Sequence, residues 1–359
     1  MDGLLKTPLS RLLLAGSLFG IAVALMFFFF RVLPVEGSSL GIDWRGIWLG
    51  LRGGLPRYGT GLRNPPWSLI PLLPLGLLSF RSSWAVLTLT TIAVEIISVP
   101  RNLSNKIDLP ATLFLVLSYP SLRNIADGNL ELLPIAGVLL LLLSYKRQSP
   151  WLMAGGILLA SAKPQATWLL LVMFAFIVIN TWSRKRILPA VFGISIVVLS
   201  TALLFGKEWI YALLTIEERG SVVDISLFST MVRLQASPIL SWGIWIALLG
   251  ATVFIALSTI DVLDRFKAGL LISASLLLSP YAAGNSLLTL VAIGIVPLLQ
   301  TDLKHGIVLG VLVYLGYLAV GYPSIVYSYG SYYTTVVILL AWFTFAWKSR
   351  GKAEARLAA

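Results

Sequence analysis

From Leu12 to Trp347 the chain is a succession of long apolar runs separated by short turns, and every second turn carries lysine or arginine. That pattern limits the possible folds more than any other feature. A backbone passing through hydrocarbon must satisfy its own N–H and C=O groups, so only helices or a closed barrel can cross a bilayer. The runs are continuous or helical in period, without the alternating ten-residue segments of a barrel. Charged residues are 12% of the chain and hydrophobic ones 58%, with mean hydropathy +0.90; a soluble domain carries about a quarter charged residues. The expected fold is an all-α polytopic membrane protein, one integral domain over residues 1–347 with a basic cytoplasmic tail over 348–359.

The net charge of +12 would point to nucleic acid in a soluble chain. Here the basic residues sit in turns between apolar runs, which is the positive-inside pattern, so the expected partner is membrane lipid and not nucleic acid. There is no cysteine, which removes disulfides, thiolate chemistry and Cys-based metal sites. The first run, Leu12 to Phe30, follows Lys6 and Arg11 as a signal peptide would. It is too long for one, and Val32-Leu33-Pro34-Val35 has no small-residue cleavage site, so it is expected to stay as an anchor.

With the amino terminus in the cytoplasm, residues 31–82 form a first extracytoplasmic loop. Within it Pro66 to Phe80 is short for a span and contains Pro66, Pro71 and Pro74, which suits a re-entrant or interfacial element. The chain then alternates: Ser83–Val99 inward, Leu109–Pro120 outward, and so on to Tyr333–Trp347, about twelve spans in all. On this threading Arg101 and Lys106, Lys146 and Arg147, Arg184 to Arg186, Arg265 and Lys267, Lys304 and the tail all fall on the cytoplasmic side, as do both termini. Counting Pro66–Phe80 as a full span would place those clusters outside, against the charge rule. The exterior receives Asp43, Asp127 to Glu131, Lys163, the 206–238 loop, Asn285 and the tyrosine-rich Tyr322–Tyr333 turn.

The first loop holds the densest chemistry, in Gly41 to Trp67. Trp44, Ile47, Trp48 and Leu51 fall at i, i+3, i+4 and i+7, one face of a helix expected to lie in the interface. Asp43 has two readings: a solvated carboxylate paired with Arg45, or a partly desolvated general base that takes a proton from a hydroxyl. Asp127, Asn129 and Glu131 are either a polar cap for the next helix or groups that bond a polyol. Lys163-Pro164-Gln165 interrupts a long apolar stretch; the lysine either snorkels or holds an anion, and phosphate is the obvious one. Arg219 and Arg233, in the mixed-charge 206–238 loop, are further candidates for a phosphate. Glu95 is expected to snorkel to the cytoplasmic surface. The turn tyrosines read as an interfacial belt or as stacking faces for sugars. His305, the single histidine, falls on the cytoplasmic side, so no exterior Ser-His-Asp or His-metal site is expected.

The order of these elements resembles a known superfamily. Asp43 follows span one; then come Tyr58 with Asn64-Pro65-Pro66-Trp67, Pro120 with Gly128-Asn129, Gly155 to Ala160 leading to Lys163-Pro164-Gln165, and Ser279-Pro280 after an apolar run. The arrangement is similar to the GT-C membrane glycosyltransferases, and within them to glycosyltransferase family 87, the polyprenol-phosphate-mannose-dependent mannosyltransferases and related arabinofuranosyltransferases. The resemblance implies a GT-C-like bundle in the plasma membrane of a prokaryote, with inverting transfer on the extracytoplasmic side. The sugar, mannose by this likeness, would pass from a polyprenyl-phosphate donor to a glycolipid or polysaccharide acceptor without a cofactor or metal. Asp43 matches the position of the base, and the residues expected to bind substrate are Arg45, Tyr58, Asn64, Asp127, Asn129, Glu131, Lys163, Gln165, Arg219, Arg233 and Asn285. The chain departs from the family in having Asn129 and Glu131 where Gln and Asn are usual, and Asn285 where histidine is usual. The rival class is a lipid or solute transporter or flippase, in which the same charges line a pathway. One-sided charge and the lack of repeats stand against it.

Overall fold

A computed structural model describes residues 40–58, 62–101, 107–214, 224–258, 263–316 and 323–357, excepting the side chains of 323–330 and 352–357. The expected first span and most of the turn tyrosines lie outside this set. Among the described residues the secondary structure is helical apart from turns and one isolated bridge. Among the described residues, five helices are long and apolar enough to cross a bilayer by length and composition.

A short helix α1 (Ile42–Leu51) leads to α2 (Pro66–Leu69), which tightens into a 3₁₀ run over Ile70–Leu77. Helix α3 (Phe80–Ser98) follows, then α4 (Leu109–Val116) and α5 (Tyr119–Asp127). Next come α6 (Leu132–Arg147), α7 (Pro150–Ala160), α8 (Pro164–Thr181) and the long α9 (Arg184–Leu214). The last group is α10 (Leu227–Arg233), α11 (Pro238–Leu257), α12 (Arg265–Leu278), α13 (Gly284–Thr301, with a π-turn at Val291–Ile295), α14 (Leu303–Leu315) and α15 (Pro323–Leu357). Most starts are written in the sequence. Ser79, Asp108, Ser118, Ser226, Ser237, Asp264 and Asp302 each accept a backbone N–H of the first turn they precede, and proline often stands at the first helical positions, where its missing N–H costs nothing.

Burial separates the helices into a centre and a sheath. Along α12 and α13 almost every side chain is enclosed, from Ala268 to Leu278 and from Leu287 to Leu298, as expected of helices that are apolar all round. On α9 and α11 the apolar side chains face outward instead, with Leu203 87% and Ile239 86% exposed; such a surface suits hydrocarbon and not water. Polar bonds mark the two ends. At one, Arg265 donates to the Ser98 carbonyl, Gln300 donates to the Pro100 carbonyl and to Asp108, and Lys348 pairs with Asp302. At the other, Asp43, Asn129, Lys163 and Asn285 meet.

Four expectations change. The run Leu109–Pro120 is not one span: Ser118 caps a new helix with Tyr119-Pro120 at its start, so α4 and α5 together carry the chain from Asp108 at one end to Asp127 at the other. The 206–238 segment is not all loop, because α9 continues to Leu214 with Lys207 and Glu208 on it and α10 fills Leu227–Arg233. The apolar face of α1 turns into the protein, not toward the interface. Trp44 and Leu51 are fully buried there, Trp44 donates to the Ser83 hydroxyl at 3.0 Å and Trp48 to the Leu78 carbonyl at 3.0 Å. Glu95 does not snorkel. It is 0% exposed, and the Ser121 hydroxyl reaches both its oxygens, at 2.9 and 2.8 Å, because the break before α5 brings that serine against α3.

The hairpin α6–α7 is packed backbone to backbone. A methyl group on Gly137 would sit 2.2 Å from the Ala160 amide nitrogen, and small residues are what permit such an approach in membranes. Gly137→Ala should therefore force α7 outward and lower stability by about 1–3 kcal/mol. Thermal unfolding in detergent checks this, and an unchanged midpoint would mean that the two helices separate freely.

Candidate active site

The site begins where α5 stops. Gly128 ends that helix in the left-handed region, φ 69°, and a Cβ there would lie 2.4 Å from Trp44 Cβ; glycine satisfies both demands. The turn lies against the start of α1, where Gly41 N–H donates to the Ala126 carbonyl at 2.7 Å. Asn129 therefore emerges beside Asp43. Its Nδ2 donates to Asp43 Oδ2 at 2.6 Å, while its Oδ1 accepts from Leu130 N–H at 2.7 Å and from the Lys163 ammonium. An amide has one donating and one accepting end, so a carboxylate on one side and an ammonium on the other leave Asn129 a single orientation.

Lys163, at the N-terminus of α8, is buried and paired with Glu131 at 2.6 Å. Glu131 is fully enclosed, and its remaining lone pairs accept from Ser286 at 2.9 Å and from Thr289. A carboxylate and an ammonium removed from water hold together only when their other hydrogen-bonding positions are filled. Glu131 meets this through Ser286 and Thr289, and the Lys163 ammonium adds its bond to Asn129. On the open side, Asn285 Nδ2 lies 3.4 Å from Asp43 Oδ2 and 3.4 Å from Asp127 Oδ2, so one amide reaches both carboxylates. Asp127 also accepts from Arg123 Nε at 2.6 Å.

The first loop is tied to the lysine turn. Tyr58 donates to the Asn64 carbonyl at 2.9 Å, and Asn64 Nδ2 donates to the Ala162 carbonyl at 3.1 Å. Trp67 donates to the Ser161 hydroxyl at 2.8 Å and meets the Trp209 ring edge-to-face at 5.4 Å. Burial, with Glu208 nearby, raises the Tyr58 phenol further above its usual range, so it remains a donor. Tyr58 and Asn64 thus act on the position of residues 161–163.

Of the residues expected to bind substrate, Asp127, Asn129, Glu131, Lys163 and Asn285 form one connected network with the expected base Asp43, and Tyr58 and Asn64 brace it. Others stand apart. Arg45 lies over the Phe80 ring at 5.4 Å and does not pair with Asp43. Gln165 is half-buried and joins none of these bonds. Arg233 bonds to Ser229 and Thr230 on its own helix and lies over Tyr332 at 5.1 Å. Arg219 is outside the described residues. Sequence reasoning missed Arg123, Ser286 and Thr289. The last two lie three apart in an apolar helix and so share a face, a hydroxyl pair that could have been read as facing a buried partner. Among the described residues no three His, Asp or Glu side chains converge as metal ligands would.

An apolar sheath around a helical centre, with a polar network at one end, defines a helical membrane protein with an enclosed site. Residues 63–280, more than half of the chain, match the family model of glycosyltransferase family 87. The chain belongs to glycosyltransferase family 87 and is a glycosyltransferase. No curated protein and no solved structure matches it significantly. The matched stretch holds Asn64, Asp127, Asn129, Glu131 and Lys163; Asp43 and Tyr58 precede it and Asn285 follows it.

Removing one member of the Lys163–Glu131 pair should cost about 3–5 kcal/mol, since the other charge stays buried alone. Lys163→Ala is expected to lose both stability and activity, whereas Lys163→Met with Glu131→Gln should recover most of the unfolding midpoint without recovering activity. If the double variant regains activity, the lysine serves packing alone.

Proposed function

We propose that the chain is an inverting glycosyltransferase that moves a sugar, mannose in the first instance, from a polyprenyl-phosphate donor to a hydroxyl of a glycolipid or polysaccharide on the extracytoplasmic side. The observation that carries this reading is the line of bonds Asp43–Asn129–Lys163–Glu131, which holds one carboxylate oxygen of Asp43 by amide donors at the outer end of the bundle. In this reading about twelve crossings place both termini in the cytoplasm. The basic clusters at the end marked by Arg265 and Lys348 support that sidedness.

Asp43 takes the proton of the acceptor hydroxyl as its oxygen attacks the anomeric carbon. The bond from that carbon to the phosphate oxygen breaks on the opposite face, and the electron pair leaves with the polyprenyl phosphate. The configuration at the carbon inverts. Lys163 is already neutralised by Glu131, so its effect is to orient Asn129 and through it Asp43. Arg123 is the better phosphate contact: its side chain is 52% exposed, with Nε on Asp127 and Tyr119 beside it. Asn285, in the place where the family usually has histidine, donates to carboxylates but takes up no proton. In this reading the proton released in the reaction goes to Asp43.

Asp43→Asn should reduce transfer from labelled polyprenyl-phosphate mannose in membranes by about 10²–10⁴-fold with expression unchanged; full residual activity would remove Asp43 as the base. Arg123→Gln should raise the apparent donor KM by about tenfold, the loss of one charge-assisted bond to phosphate. Purified protein offered mannose, arabinose and glucose polyprenyl phosphates then decides the sugar, and turnover of none of the three would overturn the donor class.

A further inference from the structure

Asp224 lies in the short extended segment before α10, outside the network described above, and is fully buried. Its Oδ1 accepts two backbone N–H groups, Ser226 at 2.9 Å on its own segment and Ala282 at 3.1 Å on the connection between α12 and α13. Beside it Ile225 N–H donates to the Ala282 carbonyl at 2.8 Å, and Asp224 and Ala283 form an antiparallel bridge. Thr335 on α15 donates to the Ile225 carbonyl at 3.0 Å and anchors the segment from behind. Asp224 Oδ2 is buried and has no hydrogen-bond partner among the described residues. A buried carboxylate that leaves one oxygen unpaired is costly to keep for stability alone.

What the clamp holds explains its place. Asn285 and Ser286 follow Ala283 almost at once, and they reach Asp43 with Asp127, and Glu131, respectively. A shift of the 282–283 backbone by one residue would carry both side chains out of reach. We propose that Asp224 is a positioning residue for glycosyl transfer: by accepting the Ala282 N–H it sets the register that delivers Asn285 to the two carboxylates and Ser286 to Glu131. The inference rests on the assignment of Asp43 as base. It also makes a chemical distinction. Only Oδ1 is engaged, so a carboxamide that keeps that oxygen can substitute.

The test compares Asp224→Asn, Asp224→Ala, Asn285→Ala and the double variant Asp224→Ala/Asn285→Ala in the full chain. It reads kcat and KM with polyprenyl-phosphate mannose, the unfolding midpoint, and hydrogen exchange of the Ala282–Ser286 amides. Asp224→Ala should lower kcat by about 10–100-fold with little change in donor KM, as misplacement of a catalytic arrangement does. Asp224→Asn should restore kcat. The double variant should be no slower than the slower single one, since Asp224→Ala already displaces Asn285. Exchange at Ala282–Ser286 should quicken in Asp224→Ala even where no substrate is turned over. Multiplying losses, an Asp224→Asn variant as slow as Asp224→Ala, or unchanged exchange would each overturn the inference. If Asp224→Ala does not fold, Asp224→Glu takes its place, because the extra methylene displaces the acceptor and should give the same loss and the same coupling. An active Asp43→Asn beside a slow, Asn285-coupled Asp224→Ala would remove the base assignment and leave the clamp; an inactive Asp43→Asn beside a normal Asp224→Ala would do the reverse.

Discussion

The arrangement depends on one side-chain amide. Asn129 has a carboxylate at its NH₂ end and an ammonium at its carbonyl end, and in a low-dielectric enclosure both contacts are strong enough to exclude the flipped rotamer. Through it, segments from three parts of the chain lock together: the loop after the first apolar run, the turn after α5 and the α7–α8 hairpin. Glu131 adds a fourth, because Ser286 and Thr289 on α13 complete its shell. None of these groups could be buried alone at tolerable cost.

A network of this kind needs its elements to end at the same depth, and the short helices serve that need. Leu109–Val116 and Tyr119–Asp127 make a broken crossing whose second half presents Ser121 to Glu95 and finishes at Asp127 and Gly128. Pro150–Ala160 is only eleven residues long, so Lys163 comes at the rim of the enclosed region and not beyond it. The glycine contacts between α6 and α7 let that short helix sit close enough for the Ala162 carbonyl to accept from Asn64 and for Lys163 to donate to Glu131. The polar site is thus a result of interrupted helices, much as broken spans elsewhere open cavities in membranes.

Asn285 stands where the resemblance to the family leads one to expect a histidine. A histidine in contact with two acids could share protons with them, while an amide only donates. Its two long bonds, 3.4 Å each, leave room for a substrate hydroxyl to replace one of them. The clamp by Asp224 on Ala282 keeps that amide in range, and the proposed base keeps a partner on each side.

Much was decided by sequence alone. The helical fold and the gathering of Asp43, Asn129, Glu131, Lys163 and Asn285 at one end were legible, and among the described residues seven helices start at a Ser or Asp cap, three of them followed by proline. Apolar period, capping chemistry and the distribution of basic turns are local properties, and a membrane converts them directly into topology. Other features were settled only in three dimensions. The fate of Glu95 depended on a serine twenty-six positions away, the inward face of α1 depended on Ser83 and Leu78, and the role of Asp224 depended on a bridge to Ala283. The direction in which Lys163 spends its charge was also hidden, because a lysine facing phosphate and one facing glutamate read the same until the partner is placed. Side-chain partners far apart in the chain leave no period or spacing to read, and only the folded packing chooses among them.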